Sequence, residues 1–543
     1  MPMAHARSFR EGRPPLGVAP ILLAALAFAL PSARAAAVAV SGTDGAAIQA
    51  AIERAAIGDT VQVPAGTYAL AEPLKGRSGI RLAGSGADKT ILRFAAKKPM
   101  AMMSLSGCED VEVSGLTLDG AGSPDATRGI SAGDARRLRI HHVTVRDLGK
   151  GRGPIGVHFS GRGPRAEGGV TDSEIADCRF EKIGPGDAWG AGIRLSWGSS
   201  RNRILRNVIR ETGRGGIFGN DGSTDLVIQG NTISGSGGEG LGIEVWGGCE
   251  RAIVEDNRID HWLSVDRSDG SAIRRNTVSD RSGDYKHCGL ELVASSRCIF
   301  TDNVVDDGQS IGISVSNQPP KNHIFWGYNT IRECNQWGAQ LQGETGGIAC
   351  HYFYRCKFLA MPANRGTPRY PNDAGHGFRF NGNARHVTFE ECEIRDNGRI
   401  GLQIGGDGVD GLCFVRCRIE GNRGVAVSGP RDYTALEWTE CAVAGNGSDA
   451  LPPAKPFPRP APKAKFEAPA TVRAGRPARF VSRSEAASGP IVQVLWDFND
   501  GLPATDSEAT HVFSKPGTYR VTLVVWDEAG RGARAERPVR VEP

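Results

Sequence analysis

A loop that leads into a glutamate-bearing strand carries the residues with the most direct chemical potential. Tyr285, Lys286 and His287 end this loop, and Glu291 follows shortly after them. A lysine or histidine can remove a proton, and a tyrosine can return one to a leaving oxygen. If an arginine such as Arg194 neutralises the carboxylate of a uronic acid, the proton on C5 becomes acidic enough to be removed. These residues therefore indicate β-elimination or epimerisation at C5 of a uronate, with Lys286 or His287 as base and Tyr285 as acid.

A pair of glutamates indicates a different reaction. Glu244 and Glu291 occupy the same position in two matching segments, Gly242-Ile-Glu-Val-Trp and Gly289-Leu-Glu-Leu-Val. If these segments are strands two rungs apart in a stack, their backbones lie ~9–10 Å apart. That separation is compatible with an inverting glycoside hydrolase, whose two carboxyl groups are about 6.5–9.5 Å apart. The lysine and arginine positions favour elimination or epimerisation, and hydrolysis stays open as the alternative.

The elements that would position these residues follow one short repeat. Each unit has an asparagine or cysteine, an aliphatic or aromatic residue two positions later, a polar loop, a glycine and alternating apolar residues. Alternation with period two indicates strands, and a unit with two unpaired edges has to stack on its neighbours. We expect three short strands per turn, with the asparagine in a left-handed turn where its amide bonds the next rung. The asparagine or cysteine positions are Cys178, Asn207, Asn231, Asn257, Asn276, Asn303, Asn329, Cys356, Cys392, Cys417 and Cys441.

This pattern resembles the right-handed parallel β-helix of the pectate-lyase-like superfamily over residues 38–446. The resemblance implies an all-β solenoid of about 12–13 coils, capped at its N-terminal end by the amphipathic segment that begins at Asp44. It also implies action on carbohydrate polymers. Of the four motifs expected in the pectin-hydrolase branch, Gly375-His-Gly377 is present, Asp306-Asp307 lies in a loop, and the other two are absent. Close membership of that branch is therefore rejected.

Outward side chains of the strand after the glycine should stack into a row along the exterior. Acids, arginines, amides and a tryptophan gather there, as in a sugar-binding cleft, and lengthened loops at 180–191, 278–288 and 358–376 mark the same face. The predicted row is His158, Arg194, Phe218, Glu244, Ser264, Glu291, Ser314, Gln340, Arg379 and Gln403, beside a second row of Ser160, Ser196, Asn220, Trp246, Asp266, Val293, Ser316, Gln342 and Asn381. The predicted substrate contacts are Arg379, His376, Trp246, Trp189, His158, Asn220 and Gln340.

The first 35 residues have the pattern of a secretory signal peptide. Three arginines precede an apolar run that is too short to span a bilayer, and Ala33-Arg34-Ala35 fits an A-x-A cleavage site. We expect a secreted or periplasmic protein with no membrane span after the signal is removed. The formal net charge of +5 is too balanced to argue for a nucleic-acid partner. The expected partner is a polysaccharide, and the protein is expected to be a monomer.

The end of the chain stops following the repeat. Residues 448–465 contain six prolines, which indicate a stiff extended linker between a β-helix domain at 36–447 and a second domain at 466–543. The second domain carries Trp496-Asp-Phe-Asn-Asp-Gly501 and Pro516-Gly-Thr-Tyr519, and it resembles a PKD-type immunoglobulin-like β-sandwich. Asn499 stands where that family usually has glycine. The resemblance implies a spacer or a module that contacts the polymer.

The positions of the twelve cysteines follow the repeat better than they fit a disulfide framework. Five of them occupy the turn position of the repeat, where a small buried side chain fits. Cys392, Cys417 and Cys441 should lie on consecutive rungs, about 5 Å apart at the backbone, a spacing that also permits a disulfide. A free ladder and at least one bridge therefore both stay open. No paired C-x-x-C motif is present, which argues against zinc.

Two further possibilities are a bound metal ion and a function without catalysis. A third function class, non-catalytic glycan binding or a cell-surface structural role, fits a β-helix with an appended sandwich. A concave groove flanked by the long loops would favour an enzyme, whereas dispersed candidates would favour this third class. No motif demands a cation, but Ca²⁺ could bind through Asp187, Glu244, Asp266 or Glu291.

Overall fold

The computed structural model describes residues 36–163, 166–236, 241–260, 262–279, 288–306, 310–316, 322–365, 373–405, 408–429, 433–487 and 489–543. The predicted parallel β-solenoid is confirmed. Three parallel faces, which we call A, B and C, follow one another around each turn. The solenoid has about 14 turns, slightly more than predicted. No helix in the described ranges is long and apolar enough to cross a membrane.

Face A contains the strands that follow the repeated glycine. Two of its strands continue around the corner into face B, which joins both faces into one 28-stranded sheet. The strands of face A are Leu74–Lys75, Met100–Ser104, Ala126–Ala132, Ile155–Ser160, Ala191–Ser196, Gly215–Asn220, Leu241–Trp246, Leu263–Asp266, Cys288–Val293, Ile311–Ser316, Trp337–Tyr354, His376–Glu390, Leu402–Ile404 and Val427–Ser428.

Faces B and C complete each turn. Face B consists of Ala37–Ala39, Thr60–Val63, Arg81–Gly84, Glu112–Ser114, Arg139–His141, Glu174–Ala176, Arg203–Leu205, Val227–Gln229, Ile253–Glu255, Ala272–Arg274, Ile299–Thr301, Ile324–Gly327, the two shared strands, Asp410–Val415 and Leu436–Thr439. Face C consists of Gly66–Leu70, Thr90–Phe94, Thr117–Asp119, Thr144–Leu148, Arg179–Ile183, Val208–Thr212, Thr232–Ser236, Arg258–Ile259, Thr277–Val278, Val304–Asp306, Thr330–Arg332, Lys357–Leu359, Glu393–Arg395, Arg418–Glu420 and Ala442–Ala444.

The predicted helix closes the N-terminal end of the solenoid. It spans Gly45–Arg54, and the side chain of Asp44 accepts a hydrogen bond from the backbone N–H of Ala47 at 2.9 Å. An aspartate at this position satisfies one of the free N–H groups of the first helical turn. Ile48 and Ile52 are buried against the first coils. The helix therefore covers apolar surface that the first turn would otherwise expose to water.

The predicted asparagine column is confirmed between faces B and C. The Asn207 amide donates to the side-chain oxygen of Asn231 at 3.0 Å and to the carbonyl of Ile175 at 3.0 Å. The same pattern continues rung by rung, and the column ends in cysteine rungs. One detail of the prediction is wrong, because the left-handed residue is the one before the asparagine, as at Arg206, whose φ is 53°. The asparagine side chain is then free to turn inward and satisfy buried backbone groups.

The interior also holds a stack of aromatic rings behind face B. Phe300 and Trp326 stack with ring centroids 4.2 Å apart, and Trp326 and Phe353 stack at 5.5 Å. The stack continues through the following rungs to Trp438. The twelve cysteines are all free, and ten of them are buried. The structure therefore shows a thiol ladder at the cysteine rungs and no disulfide.

The C-terminal domain is a sandwich of a three-stranded and a four-stranded sheet. Asn499 has a φ of 58°, a left-handed conformation that a glycine would adopt at no steric cost and that asparagine tolerates. This explains how asparagine replaces the usual glycine. The strands are Phe466–Glu467, Thr471–Arg473, Pro477–Ser482, Ile491–Asp497, Glu508–Val512, Gly517–Asp527 and Gly532–Glu542.

This domain docks on face B of the solenoid. Arg274 forms an ion pair with Asp497 at 2.7 Å, and the two side chains are 0% and 3% exposed. Arg520 pairs with Asp302 at 2.6 Å. An apolar cluster spans both domains, and it includes Ala272, Ile299, Phe325, Tyr352, Tyr354, Leu495, Val524 and Trp526. The domain is thus packed against the β-helix, which corrects the expectation of a spacer.

The proline-rich segment also lies against the solenoid. Leu436 and Lys455 exchange backbone hydrogen bonds at 2.8 Å, and Trp438 donates its indole N–H to the carbonyl of Pro452 at 3.3 Å. The segment therefore runs along the last coil instead of extending into solvent. None of the described contacts of the docked domain involves a member of the predicted row on face A.

Candidate functional site

The predicted row exists on face A with the predicted order. His158 pairs with Arg194, Arg194 with Phe218, and Phe218 with Glu244 in the parallel register. The register continues through Ser264, Glu291, Ser314, Gln340, Arg379 and Gln403. Since adjacent strands are ~4.8 Å apart, each step along the row adds that distance. Residues far apart in the chain are therefore brought onto one exterior stripe.

A basic cleft lies at the N-terminal end of this row. It has a volume of about 650 Å³, and its lining includes Arg128, Lys150, Arg152 and Arg194. Asp187 is the acidic residue in the lining, and its carboxylate accepts hydrogen bonds from the backbone N–H groups of Gly151, Gly153 and Trp189. Asp187 is thus occupied in holding two loops together. The cleft is left with an excess of positive charge.

Arg194 is the residue of the predicted set that points most directly at an anionic ligand. Burial lowers the pKa of its guanidinium to about 10, although the charge of Glu244 opposes this shift. Arg194 therefore stays charged near neutral pH. Its buried Nε has no hydrogen-bond partner in the structure. Because this atom is closed off from solvent, an anionic ligand would meet the rest of the guanidinium, which lines the cleft.

His158 lies beside Arg194 and is neutral at pH 7. Burial, together with the charges of Arg128 and Arg194, lowers the pKa of His158 to about 3. The Nε–H of Arg128 donates to Nδ1 of His158 at 3.3 Å, and Nε2 of His158 lies 3.3 Å from the Ser196 hydroxyl. With Nδ1 accepting, Nε2 carries the proton. His158 is therefore placed to orient Arg128.

Aromatic rings border the basic cleft. Trp189 is 60% exposed, and the guanidinium of Arg214 lies 5.6 Å from its ring centroid. The ring of Phe218 lies between the guanidinium groups of Arg194 and Arg214, at 5.0 and 5.7 Å. An exposed tryptophan beside fixed cations offers a flat apolar face for a sugar ring together with charge for an acidic group.

The two predicted glutamates occupy the centre of the row, two rungs apart. Glu244 accepts a hydrogen bond from the amide of Asn220 at 2.9 Å and lies 3.8 Å from Arg214. Glu291 accepts from the indole N–H of Trp262 at 2.9 Å and from the hydroxyl of Ser264 at 2.6 Å. Burial raises the pKa of both carboxyl groups. Cations oppose the shift at Glu244, whereas neighbouring carboxylates reinforce it at Glu291.

Trp246 and Asp266 pair in the second row, beside these glutamates. Arg267 contacts both of them, with its guanidinium 4.8 Å from the Trp246 ring and 3.2 Å from the Asp266 carboxylate. Burial raises the pKa of Asp266, and the charge of Arg267 opposes the shift. Among the described residues no group of three or more His, Cys, Asp and Glu side chains could hold a metal ion. Asp187, Glu244, Asp266 and Glu291, the residues named for Ca²⁺, are thus not gathered into such a group.

A second group of predicted residues lies at the C-terminal end of the row. The ring of His376 stacks on Trp337 at 4.2 Å, and the guanidinium of Arg379 lies 4.7 Å from the same ring. Asp373 lies 3.4 Å from Nε2 of His376. Burial lowers the pKa of His376 to about 4. Gln340, which pairs with Arg379 in the register, donates to Gln342 at 3.0 Å.

The residues predicted as base and acid, Tyr285, Lys286 and His287, lie outside the described residues. They precede the strand that carries Glu291, which is four rungs from Arg194 and three rungs from Arg379. These separations are ~19 Å and ~14 Å along the row. The backbone register alone therefore does not bring Arg194 or Arg379 onto the rung of the predicted base.

Four basic residues of the site were not among the sequence candidates. Arg128, Lys150, Arg152 and Arg214 lie on the strand before His158 or in loops that lead into face A strands. The sequence did contain a signal for this site. Basic residues recur just before, or at the start of, strands that belong to face A. The loop at 149–154 has no insertion, so its length gives no signal of a functional face.

Comparisons with known proteins agree with this architecture. Residues 102–261 match the family model described as right handed beta helix region, residues 41–121 match rhamnogalacturonase A/epimerase, pectate lyase-like, and residues 459–541 match PKD domain. The chain is 39% identical over 59 residues to collagenase ColQ1 of Bacillus cereus (strain Q1), which covers 11% of this chain and 6% of the collagenase. It is 38% identical over 80 residues to microbial collagenase of Vibrio alginolyticus, covering 14% of this chain and 10% of that protein. The chain thus spans at most a tenth of the length of these two relatives.

Two solved structures illustrate the two parts of the molecule. The PKD1 domain of Vibrio cholerae metalloprotease PrtV is 32% identical and covers 15% of this chain and 99% of that chain, with a TM-score of 0.14. The A-module of the Azotobacter vinelandii mannuronan C-5 epimerase AlgE6 is 16% identical and covers 76% of this chain and 97% of that chain, with a TM-score of 0.38. The family models thus identify a pectate lyase-like segment, a right-handed β-helix region and a C-terminal PKD domain in this chain.

Proposed function

We propose that the protein is an exported enzyme that acts on an acidic polysaccharide bound along face A. The observation that carries this proposal is the basic cleft at Arg128, Lys150, Arg152 and Arg194, beside the exposed Trp189. Fixed cations in a partly buried site recognise carboxylate or sulfate groups. The match to a pectate lyase-like family model over residues 41–121 supports a carbohydrate polymer as the ligand.

The first candidate reaction is removal of the C5 proton of a uronate, leading to elimination or epimerisation. Arg194 would neutralise the uronate carboxylate, which stabilises the negative charge that develops when the proton leaves. Lys150 lines the same cleft and is a candidate base for a uronate held there. Lys286 or His287 as base and Tyr285 as acid remain predictions for a sugar bound nearer Glu291.

A second candidate reaction is inverting hydrolysis, and the asymmetry of the two glutamates favours it. Burial, and to a smaller extent the charges of Asp266 and Glu244, raise the pKa of Glu291 against the hydrogen bonds from Ser264 and Trp262, which suits a general acid. Burial also raises the pKa of Glu244, but Arg214 and Arg194 oppose that shift and favour the ionised form that a general base needs. Their separation of two rungs, ~10 Å at the backbone, leaves room for a water and a glycosidic bond.

The experiment that tests this proposal incubates the purified protein with alginate, pectate and glycosaminoglycans. Ultraviolet absorbance of the unsaturated product reports elimination, new reducing ends without that absorbance report hydrolysis, and solvent deuterium at C5 reports epimerisation. We expect one of these signals, and we expect Arg194→Met to reduce it by at least about 100-fold. The matched control is Arg206→Met, whose arginine lies between faces B and C and is paired with Asp177 at 2.7 Å.

The outcomes separate the three function classes. Loss of hydrolysis in Glu244→Gln and Glu291→Gln would favour the second reaction over the first. Binding of acidic polymers without any product would favour a non-catalytic glycan-binding protein. Binding no tighter to acidic than to neutral polymers would contradict the proposal, since the basic cleft would then have no role in recognition.

A further inference from the structure

Electrostatic charge changes sign along face A. At the N-terminal end, Arg128, Lys150, Arg152 and Arg194 line one cleft, and the single acid in its lining is tied to backbone N–H groups. The centre begins two rungs further on, ~10 Å from Arg194 at the backbone. A polymer lying along the row therefore meets a cationic subsite first and the central carboxylates next.

The described residues of the centre include three carboxylates and two nearby arginines. Glu244 and Glu291 lie in the first row with Asp266 in the rung between them, in the second row. Among the described residues, the contacts of Glu291 are the neutral donors Trp262 and Ser264. Arg267 is paired with Asp266, and Arg214 lies 3.8 Å from Glu244.

Such a centre suits hydroxyl groups better than anionic groups. Carboxylates accept hydrogen bonds from hydroxyls, and Trp246 and Trp262 are half-buried beside them and present aromatic rings. A uronate or sulfate placed in the centre would be repelled by the carboxylates of a partly buried site. This repulsion discriminates against ligands with an anionic group at that position. Homopolymers with an acid on every sugar cannot avoid this contact.

We propose that the substrate is an acidic heteropolysaccharide in which an uncharged sugar occupies the centre and a sugar with a carboxylate or sulfate group occupies the basic cleft. This inference rests on the proposed function, because it assigns the two ends of the same groove. It agrees with elimination at the cleft and with hydrolysis at the centre. It argues against a uronate held beside Glu291, which Lys286 or His287 as base would require. Specificity then comes from repulsion at Glu291 as much as from attraction at Arg194.

The test compares the affinities of size-matched oligosaccharides by isothermal titration calorimetry on the full chain. Hyaluronan oligosaccharides alternate a carboxylate sugar with an uncharged one, and keratan sulfate oligosaccharides sulfated only on N-acetylglucosamine alternate a sulfated sugar with an uncharged one. Alginate oligosaccharides carry a carboxylate on every sugar, and chitin oligosaccharides carry no charge. We expect an alternating ligand to bind at least about tenfold more tightly than alginate and than chitin. Comparison of hyaluronan with keratan sulfate distinguishes a carboxylate from a sulfate in the cleft.

Two variants test separately how the centre and the basic cleft contribute to ligand preference. Glu291→Gln removes the central charge at nearly constant side-chain shape. The ratio of the affinities for the alternating ligand and for alginate should therefore fall several-fold. Lys150→Met should weaken all acidic ligands alike and leave chitin unchanged. Glu420→Gln, on face C, is the matched control. It should change neither the affinity ratio of the alternating ligand to alginate nor that of acidic ligands to chitin.

The possible results are distinguishable. If alginate binds as tightly as the alternating ligands, or if Glu291→Gln leaves the ratio unchanged, this inference is wrong while the proposed function stands. If chitin binds as tightly as every acidic ligand, the inference and the proposed function both fall. A tenfold preference that shrinks in Glu291→Gln supports the inference.

Discussion

The buried ion pair between the two domains allows a prediction whose size follows from the structure. Replacing Arg274 by methionine would leave the carboxylate of Asp497, 3% exposed, without its cation. Asp497 would keep the hydrogen bond from the backbone N–H of Asn499, and Gly501 would lose the donor to its carbonyl. Removing one partner of a buried ion pair costs about 3–5 kcal/mol. We expect Arg274→Met to weaken docking of the PKD domain by this amount, about two to four orders of magnitude in its equilibrium.

The assay is the rate of proteolysis in the segment 448–465, which packs on the last coil in the docked state. When opening and closing are fast relative to cleavage, this rate follows the population of the open form. Urea unfolding provides an independent measure of the lost free energy. The control is Arg206→Met, which breaks an exposed pair with Asp177, 57% and 33% exposed, and should cost less than about 1 kcal/mol.

A second variant separates the lost charge pair from lost packing. In Arg274→Met combined with Asp497→Leu, no charge is left buried without a partner, and most of the lost stability should return. If Arg274→Met costs no more than Arg206→Met, or if the double variant is as unstable as the single one, the reasoning about the buried pair is refuted. The C-terminal domain would then be held mainly by its apolar contacts.

Three further changes test other parts of the account. Asn257→Ala interrupts the asparagine column and leaves buried backbone groups without partners, so thermal or urea unfolding should show a loss of about 1–3 kcal/mol. Trp189→Ala should weaken binding of acidic oligosaccharides in calorimetry by roughly tenfold, with little change in unfolding, because this side chain is 60% exposed. Burial raises the pKa of Glu291 above 4.5, so its charge destabilises the folded protein at neutral pH. Glu291→Gln should therefore raise the midpoint of urea unfolding at pH 7, and this gain should vanish below about pH 4.5, where both states of the wild type are protonated; a gain that persists in acid would contradict the reasoning.

The repeat made the solenoid and the row predictable. A glycine followed by alternating apolar residues fixes which side chains face outward, so residues as distant as His158 and Gln403 could be aligned. The left-handed position was misplaced by one residue, because the residue that precedes each asparagine varies between arginine, aspartate and others. Only the coordinates show that Arg206 and its equivalents take the positive φ while the asparagine turns inward.

Docking of the C-terminal domain on the solenoid was not predicted, although the sequence of face B contains a signal for it. Outward positions of face B that should be polar in a solvated sheet are large and apolar at Phe325, Tyr352 and Tyr354. Their partner could not be named from the sequence, because Trp526 and Leu495 lie far along the chain in another domain. The basic cleft was missed for a related reason, since Lys150 and Arg128 come from different turns and meet only through loop geometry.

The central claim is that the basic cleft on face A holds the anionic group of a polysaccharide. A crystal structure with a bound acidic oligosaccharide, obtained with Glu291→Gln to slow turnover, tests it most directly. The account predicts a carboxylate or sulfate within hydrogen-bond distance of the Arg194 guanidinium, with a sugar ring against Trp189. An oligosaccharide bound on face B or C, or on face A with its anionic groups over Glu244 and Glu291 and the cleft unused, would contradict it.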